Sequence, residues 1–263
     1  MHRFSLFVDY SNLFGILKSL DVRVTDYERF FWHIFEQAAI VWQQKLLGEQ
    51  LPTLQLQRVY WYAVGSMDSW DFESERTRGH LFRLFDRDAE SRRLYVAEAR
   101  LRDPKSDLPE LTAEAFVTYR NERRTWYDDK RAALESMRKF FRTIRQSTQF
   151  IDIRDTGVWK VNIHAKSVEE KGVDTSLAVD MVALSDTYDV AVVISGDADM
   201  IPSIEYVKTR GKTVGVTELL KGARPDARRG HGFATRLRQA ADFTVPVFES
   251  ELTRTSFARK GID

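Results

Sequence analysis

Short apolar runs alternate with amphipathic segments along most of this chain. Residues 3–8 are mostly apolar and are followed by Asp9. Residues 189–194 (Asp-Val-Ala-Val-Val-Ile) are almost continuously apolar. Such a run is typical of a parallel strand that is buried on both faces. The same pattern predicts further strands at 58–64, 158–165, 213–216 and 243–248, and helices at 26–47, 174–185, 201–209 and 232–240. Strands that alternate with helices indicate an α/β fold with a mainly parallel sheet.

The middle of the chain has a different pattern, because it is densely charged and mostly helical. We expect a helix at 71–93, a strand at 94–101 and a helix at 128–144. We interpret residues 66–155 as a large insertion in a single domain that spans residues 1–250. The last residues, 251–263, are expected to form a loose C-terminal tail.

Composition narrows the class of protein. The 263 residues are 43% hydrophobic, which is enough to bury a sizeable core, and the absence of cysteine excludes disulfide scaffolds and cysteine-ligated zinc sites. Forty basic residues against 39 acidic ones exclude a broadly basic nucleic-acid coat but allow local patches. No apolar run approaches the ~18 residues of a membrane span, and the N-terminal segment lacks the pattern of a signal peptide. We therefore expect a cytoplasmic protein that does not bind membranes.

Carboxylates follow two of the predicted strands. Asp9 ends the first strand, and Ser195-Gly196-Asp197-Ala198-Asp199 follows the strand at 189–194. If the two strands are neighbours, three acidic groups converge at the sheet edge where α/β folds bind ligands. A cluster of carboxylates without cysteine or histidine suits Mg²⁺ or Mn²⁺. Asp9 by itself is equally well explained as a helix N-cap.

Two further aspartates lie on the helix predicted at 174–185. Asp174 is at its start, where a capping role is also common. Asp180 falls on or beside the apolar stripe, where a carboxylate is costly unless it is paired or near a metal. The two residues are six positions apart and do not share a helix face, so one ion would not take both directly. We assign Asp180 a supporting or second-metal role.

Three sequence blocks together resemble the NYN domain family of the PIN-like nuclease superfamily. The blocks are Phe7-Val8-Asp9-Tyr10-Ser11-Asn12, Lys171-Gly172-Val173-Asp174-Thr175-Ser176-Leu177-Ala178-Val179-Asp180 and Val193-Ile194-Ser195-Gly196-Asp197-Ala198-Asp199-Met200-Ile201-Pro202. The resemblance covers roughly residues 3–64 and 158–248 and leaves out the middle segment. It implies a three-layer α/β/α fold and a metal-dependent ribonuclease, in particular an endonuclease whose products carry a 5′-phosphate and a 3′-hydroxyl.

The resemblance also implies roles for individual residues. Asp9, Asp174, Asp197 and Asp199 would form the acidic pocket that holds Mg²⁺ or Mn²⁺, and Asn12 and Ser195 would position the phosphate, the water or a metal-bound carboxylate. Bound metal would activate the attacking water and relieve charge on the phosphorane, so no protein nucleophile is required. Lys171 either neutralises a phosphate oxygen or is a solvated surface lysine. The alternative function is a catalytically silent RNA-binding or adaptor module of the same family.

A basic segment follows the acidic turn along the chain. Residues 221–238 carry seven basic residues, counting a histidine, against one acid. We expect Arg224, Arg228, Arg229 and Arg236 to contact the backbone phosphates of single-stranded or structured RNA, although a solvated loop and helix face would have the same composition. The long insertion is the expected source of specificity and of contacts with a protein partner or a second copy of the chain.

Overall fold

The computed structural model describes residues 1–44, 52–223 and 235–261. The strands in these ranges are β1 (His2–Asp9), β2 (Val22–Val24), β3 (Leu54–Met67), β4 (Ile151–Asn162), β5 (Ser167–Lys171), β6 (Val190–Ile194), β7 (Thr213–Leu220), β8 (Phe243–Phe248) and β9 (Ala258–Lys260). The helices are α1 (Tyr10–Ser19), α2 (Tyr27–Gln43), α3 (Glu75–Arg87), α4 (Ala89–Arg102), α5 (Leu108–Ser147), α6 (Val173–Ala183), α7 (Ile201–Thr209), α8 (Thr235–Ala240) and α9 (Glu249–Leu252).

A mainly parallel sheet organises the fold. Its strand order is β5-β4-β3-β1-β6-β7-β8, and β1 pairs in parallel with both β3 and β6. β6 continues in parallel to β7 and β7 to β8, whereas β4 and β5 are antiparallel. All five residues of β6 are buried, as expected for a strand covered on both faces. The architecture confirms the predicted three-layer α/β/α fold.

The chain divides into two compact units. The first contains Met1–Gly65, Phe140–Gly157 and Gly172–Asp263, and the second contains Ser66–Lys139 and Val158–Lys171. The second unit begins where the insertion was predicted to begin, but it omits residues 140–155 of that segment and adds residues 158–171. Strand β4 and helix α5 each contribute residues to both units.

An aromatic cluster fills one face of the sheet in the first unit. Trp61 is fully buried, and its ring lies 4.9 Å from Tyr27, 5.0 Å from Phe31 and 5.2 Å from Phe141. These partners come from α2 and α5, so the cluster attaches both helices to β3. Aromatic pairs at such separations add to the stabilisation that comes from burial alone.

The second unit has a core of its own. Its buried residues come from α3, α4, α5 and the β4–β5 hairpin, and they include Leu81, Phe85, Ala99, Leu111, Phe116, Tyr119 and Ile163. The guanidinium carbon of Arg123 lies 3.6 Å from the centre of the Tyr119 ring, although Arg123 is only 5% exposed. Its Nη1 donates to Tyr95 Oη, which lowers the cost of burying the charge.

The predicted strand at 94–101 is wrong, because these residues belong to helix α4. The alternation of apolar and polar residues suggested a strand, but Leu, Ala, Glu and Arg all favour helices. Asp88 caps α4, accepting a hydrogen bond from the Ser91 backbone N–H at 3.1 Å. The helix predicted at 128–144 is the final part of α5, which has 40 residues and begins after the capping residue Asp107.

The loose tail predicted for 251–263 is also partly wrong. Strand β9 pairs antiparallel with β2, so that Val22 lies opposite Lys260 and Val24 opposite Ala258. Phe257, just before β9, accepts a hydrogen bond from the Thr25 backbone N–H at 2.8 Å through its carbonyl oxygen. The end of the chain is therefore attached to the segment between α1 and α2. Within the described residues, every helix is too short or too polar to traverse a lipid bilayer.

Candidate active site

Asp9 lies at the carboxyl end of β1 and is 1% exposed. Its Oδ1 accepts a hydrogen bond from the Asn12 backbone N–H at 3.0 Å, so Asp9 is the N-cap of α1. Asn12 Nδ2 donates to the second carboxylate oxygen, and Asn12 Oδ1 accepts from the Gly196 backbone N–H at 3.2 Å. Asn12 therefore links the end of β1 to the turn that follows β6.

The turn after β6 carries two more acidic residues of the predicted pocket. Val8 lies opposite Ile194 in the β1–β6 pairing, so Asp9 and Ser195 leave the sheet side by side. Ser195 is 1% exposed, and its Oγ accepts a hydrogen bond from the Asp197 backbone N–H at 3.1 Å. Asp197 Oδ1 in turn accepts from the Asp199 backbone N–H at 2.9 Å, which starts a short 3₁₀ turn. The parallel register therefore places Asp9 and this turn at one sheet edge.

Helix α6 contacts β1 and the 3₁₀ turn at 198–200. The residue that caps this helix is Gly172, whose φ of 90° lies in the left-handed region that glycine adopts readily. Asp174 is half-buried in the first turn of α6, where a negative charge interacts favourably with the helix dipole. The capping role considered for Asp174 is thus taken by Gly172.

Asp180 is paired in a way that the sequence did not reveal. Tyr62 Oη donates to Asp180 Oδ2 at 2.9 Å, and Arg154 Nη1 lies 3.9 Å from the same oxygen. Burial, together with the negative charge of Asp180, raises the pKa of Tyr62. Tyr62 lies opposite Asp9 in the β1–β3 register. Tyr62 thus connects Asp180 to the strand that flanks Asp9, and Tyr62 and Arg154 of β4 together offset the cost expected for a carboxylate at this position.

The sequence model of the NYN domain matches residues 88–247, which is more than half of the chain. The chain belongs to the NYN domain family. The family is part of the PIN-like nuclease superfamily, so the resemblance in the sequence blocks is confirmed. The matched range includes Asp174 and the turn after β6, and it starts inside the segment that was interpreted as an insertion. Asp9 precedes this range and is connected to it by the sheet register and by Asn12.

The other comparisons give no further information on the function of this NYN domain. A comparison with curated proteins finds no match. Among solved structures, the chain is similar to the crystal structure of a protein of unknown function from Vibrio parahaemolyticus, with 12% sequence identity and a TM-score of 0.45. The similarity covers 94% of this chain and 93% of the other.

The donor set of the NYN domain fits a hard divalent cation in its chemistry, because the carboxylates, Asn12 and Ser195 offer oxygen ligands. Within the described ranges, no group of three or more acidic or histidine side chains is arranged to hold a metal ion. Mg²⁺ usually keeps several waters and takes only one or two protein carboxylates in addition to substrate phosphates. The absence of such a group among the described residues does not argue against Mg²⁺, whose fit here rests on the oxygen donors alone.

Five predicted residues remain, and the structure describes two of them, Lys171 and Arg236. Lys171 belongs to the second unit and forms an ion pair with Glu169. Arg236 is exposed on α8. Arg224, Arg228 and Arg229 lie outside the described residues. The sequence analysis missed Tyr62 and Arg154, because neither has a local pattern that distinguishes it from other strand residues.

Replacing Tyr62 with phenylalanine tests the link between β3 and Asp180. We expect a loss of about 1–2 kcal/mol in the free energy of unfolding, because the Asp180 carboxylate loses a buried donor. Urea unfolding followed by circular dichroism measures the effect. A second variant, Tyr62→Phe with Asp180→Asn, should recover part of the loss, because the amide has no charge to satisfy. Equal stability of Tyr62→Phe and the unmodified protein would contradict this role.

Proposed function

We propose that this protein is a metal-dependent ribonuclease that hydrolyses RNA phosphodiester bonds as an endonuclease. The observation that carries the proposal is the parallel pairing of β1 with β6, which brings Asp9 next to the turn with Asp197 and Asp199. Membership of a nuclease superfamily supports the same reaction. We propose Asp9, Asp174, Asp197 and Asp199 as the groups that hold Mg²⁺ or Mn²⁺. When bound, the ion would lower the pKa of a water molecule and stabilise charge on the phosphate.

The protein side chains have separate tasks in this proposal. Asn12 fixes the Asp9 carboxylate through Nδ2 and orients the β6 turn through Oδ1. Ser195 Oγ holds the Asp197 backbone and so keeps the start of the 3₁₀ turn in place. Asp180 supports the site through Tyr62, the neighbour of Asp9 in the sheet. Preorganised groups of this kind reduce the reorganisation that the reaction would otherwise require.

A second candidate is an RNA-binding or adaptor module without catalytic turnover. Two observations favour it. Both carboxylate oxygens of Asp9 accept hydrogen bonds from Asn12. In addition, the described residues contain no preformed cluster of three metal-binding side chains. A concentration of negative charge is nevertheless unfavourable for RNA binding alone, which is why we place hydrolysis first.

Incubating the purified protein with end-labelled single-stranded and structured RNA distinguishes the two candidates. We expect internal cleavage in Mg²⁺ or Mn²⁺ and none in EDTA, because the attacking water and the phosphate both depend on the ion. Products should carry a 5′-phosphate, which an exonuclease specific for 5′-monophosphates would detect. RNA binding without cleavage in either metal would instead establish the adaptor function.

The proposal also includes the cellular location of the protein and its binding partners. We place the protein in the cytoplasm, where chains without disulfides are common, with RNA as its partner. The second unit is the part that we expect to contact a protein partner or a second copy of the chain. Lys171, Arg224, Arg228, Arg229 and Arg236 are proposed to contact phosphates of the RNA.

A further inference from the structure

The second unit contains a cavity of about 530 Å³ that the proposed reaction does not use. It lies between the start of α3 and the turn that precedes this helix, and its lining includes Trp70, Arg76, His80 and Arg83. Its size is within the range of about 300–1,000 Å³ typical of sites for small ligands. One acidic residue, Asp71, also lines it, and the Asp71 carboxylate accepts a hydrogen bond from the Glu73 backbone N–H at 3.0 Å.

The basic residues of this cavity belong to a stripe along α3. Arg76, His80 and Arg83 line the cavity, and the stripe continues at helical spacing to Arg87 outside it; all four residues are exposed. The buried face of the helix, with Leu81 and Phe85, points in another direction. Among the described residues, neither Arg76 nor Arg83 has a carboxylate within ion-pair distance, whereas Arg78, off the stripe, lies 3.7 Å from Glu75. Arg76 and Arg83 therefore offer cationic groups that form no ion pair within the described residues.

An aromatic side chain stands beside this stripe. The Trp70 ring lies 5.8 Å from the His80 ring, at an interplanar angle of 42°. Trp70 is partly buried against the core of the second unit, and its backbone N–H donates to Tyr127 Oη at 3.2 Å. Tyr127 Oη in turn donates to the Asp68 carbonyl oxygen. These contacts hold the indole in place, so little side-chain entropy would be lost when a flat ligand stacks on it.

We propose that this surface of the second unit binds single-stranded RNA. An unpaired base stacks on Trp70, while Arg76 and Arg83 contact the flanking phosphates. An aromatic platform next to unpaired arginines is the combination that binds single strands without sequence preference. An acidic protein partner would use the arginines but would not need the aromatic ring. The inference rests on RNA as the substrate of the proposed nuclease, and it assigns the second unit a role in holding that substrate.

Binding is measured separately from cleavage, by fluorescence anisotropy of a labelled oligouridylate in EDTA. We expect the double change Arg76→Ala with Arg83→Ala to weaken binding about tenfold at ~0.1 M salt. The plot of the logarithm of the binding constant against the logarithm of the salt concentration should also become less steep. Its slope should change by about 0.7 for each lost phosphate contact. Trp70→Ala should weaken binding by roughly tenfold without changing that slope, and Trp70→Phe, which keeps a ring in the core, should lose less.

The matched control is Arg78→Ala with Arg93→Ala, which removes two exposed arginines of the same unit that do not line the cavity. Its affinity and salt slope should equal those of the unmodified protein. An equal loss in both double variants would overturn the proposal, because it would indicate only a general effect of charge. Binding of an abasic ribose-phosphate oligomer as tightly as the oligouridylate would exclude stacking of a base on Trp70. If the unmodified protein cleaves no RNA but binds it through Trp70, Arg76 and Arg83, the proposed nuclease activity is wrong and the binding site stands.

Discussion

Replacing Asp197 with asparagine is expected to reduce metal-dependent RNA cleavage by about 10²–10³-fold without unfolding the protein. Asp197 lies in the turn after β6, and its Oδ1 accepts a hydrogen bond from the Asp199 backbone N–H. An asparagine keeps an oxygen acceptor there, so the 3₁₀ turn can persist. The negative charge that would attract a divalent cation is lost. The expected reduction has the size seen when one preorganised group that stabilises charge in a transition state is removed.

The control for this experiment is Asp186→Asn, because Asp186 is exposed and precedes the amino end of β6. Both variants lose one negative charge, but only one loses it at the carboxyl end of the strand. Initial rates of cleavage at saturating Mg²⁺, with circular dichroism as the check on folding, distinguish them. Undiminished cleavage by Asp197→Asn would mean that another site or a contaminating nuclease is responsible, and it would remove this turn from the mechanism.

Part of the candidate site is predictable because it depends on short-range patterns. The apolar run of β6 and the acidic turn after it are contiguous in sequence, and parallel strands carry such turns to one edge. The contact between Tyr62 and Asp180 could not be predicted in this way, since it joins residues 118 positions apart. Only the register of β3 against β1 brings Tyr62 next to Asp9, and the sequence pattern does not specify that register.

The errors in the fold have a similar cause. Strands β2 and β9 have three residues each, too few for a periodic pattern, and they pair across almost the whole chain. The strand prediction at 94–101, within helix α4, is wrong because a few alternating residues outweighed helix propensity over a short window. Long amphipathic or continuously apolar segments, such as α2 and β6, were predicted correctly because their burial is regular over the whole element.

Replacing Trp61 with alanine is expected to lower the free energy of unfolding by about 3–5 kcal/mol. The side chain is fully buried between rings of α2 and α5, so its removal leaves a cavity that its neighbours cannot fill without moving. Side chains alternate along a strand, so Trp61 and Tyr62 face opposite sides of the sheet. Loss of the aromatic cluster should therefore lower stability while the hydrogen bond from Tyr62 to Asp180 is retained in the folded protein.

Two further variants separate lost packing from a general effect of removing tryptophan. Trp32 is 47% exposed on α2, so Trp32→Ala should cost less than about 1 kcal/mol in the same urea titration. Trp61→Phe should cost much less than Trp61→Ala, because the Trp61 Nε1 finds no acceptor among the described residues. Phenylalanine keeps most of the ring contacts. It also removes a buried N–H that has no acceptor, and this gain in stability offsets part of the loss caused by the smaller ring. Equal losses for Trp61→Phe and Trp61→Ala would show instead that the indole makes an essential polar contact, and packing around Trp61 would then not be what stabilises β3.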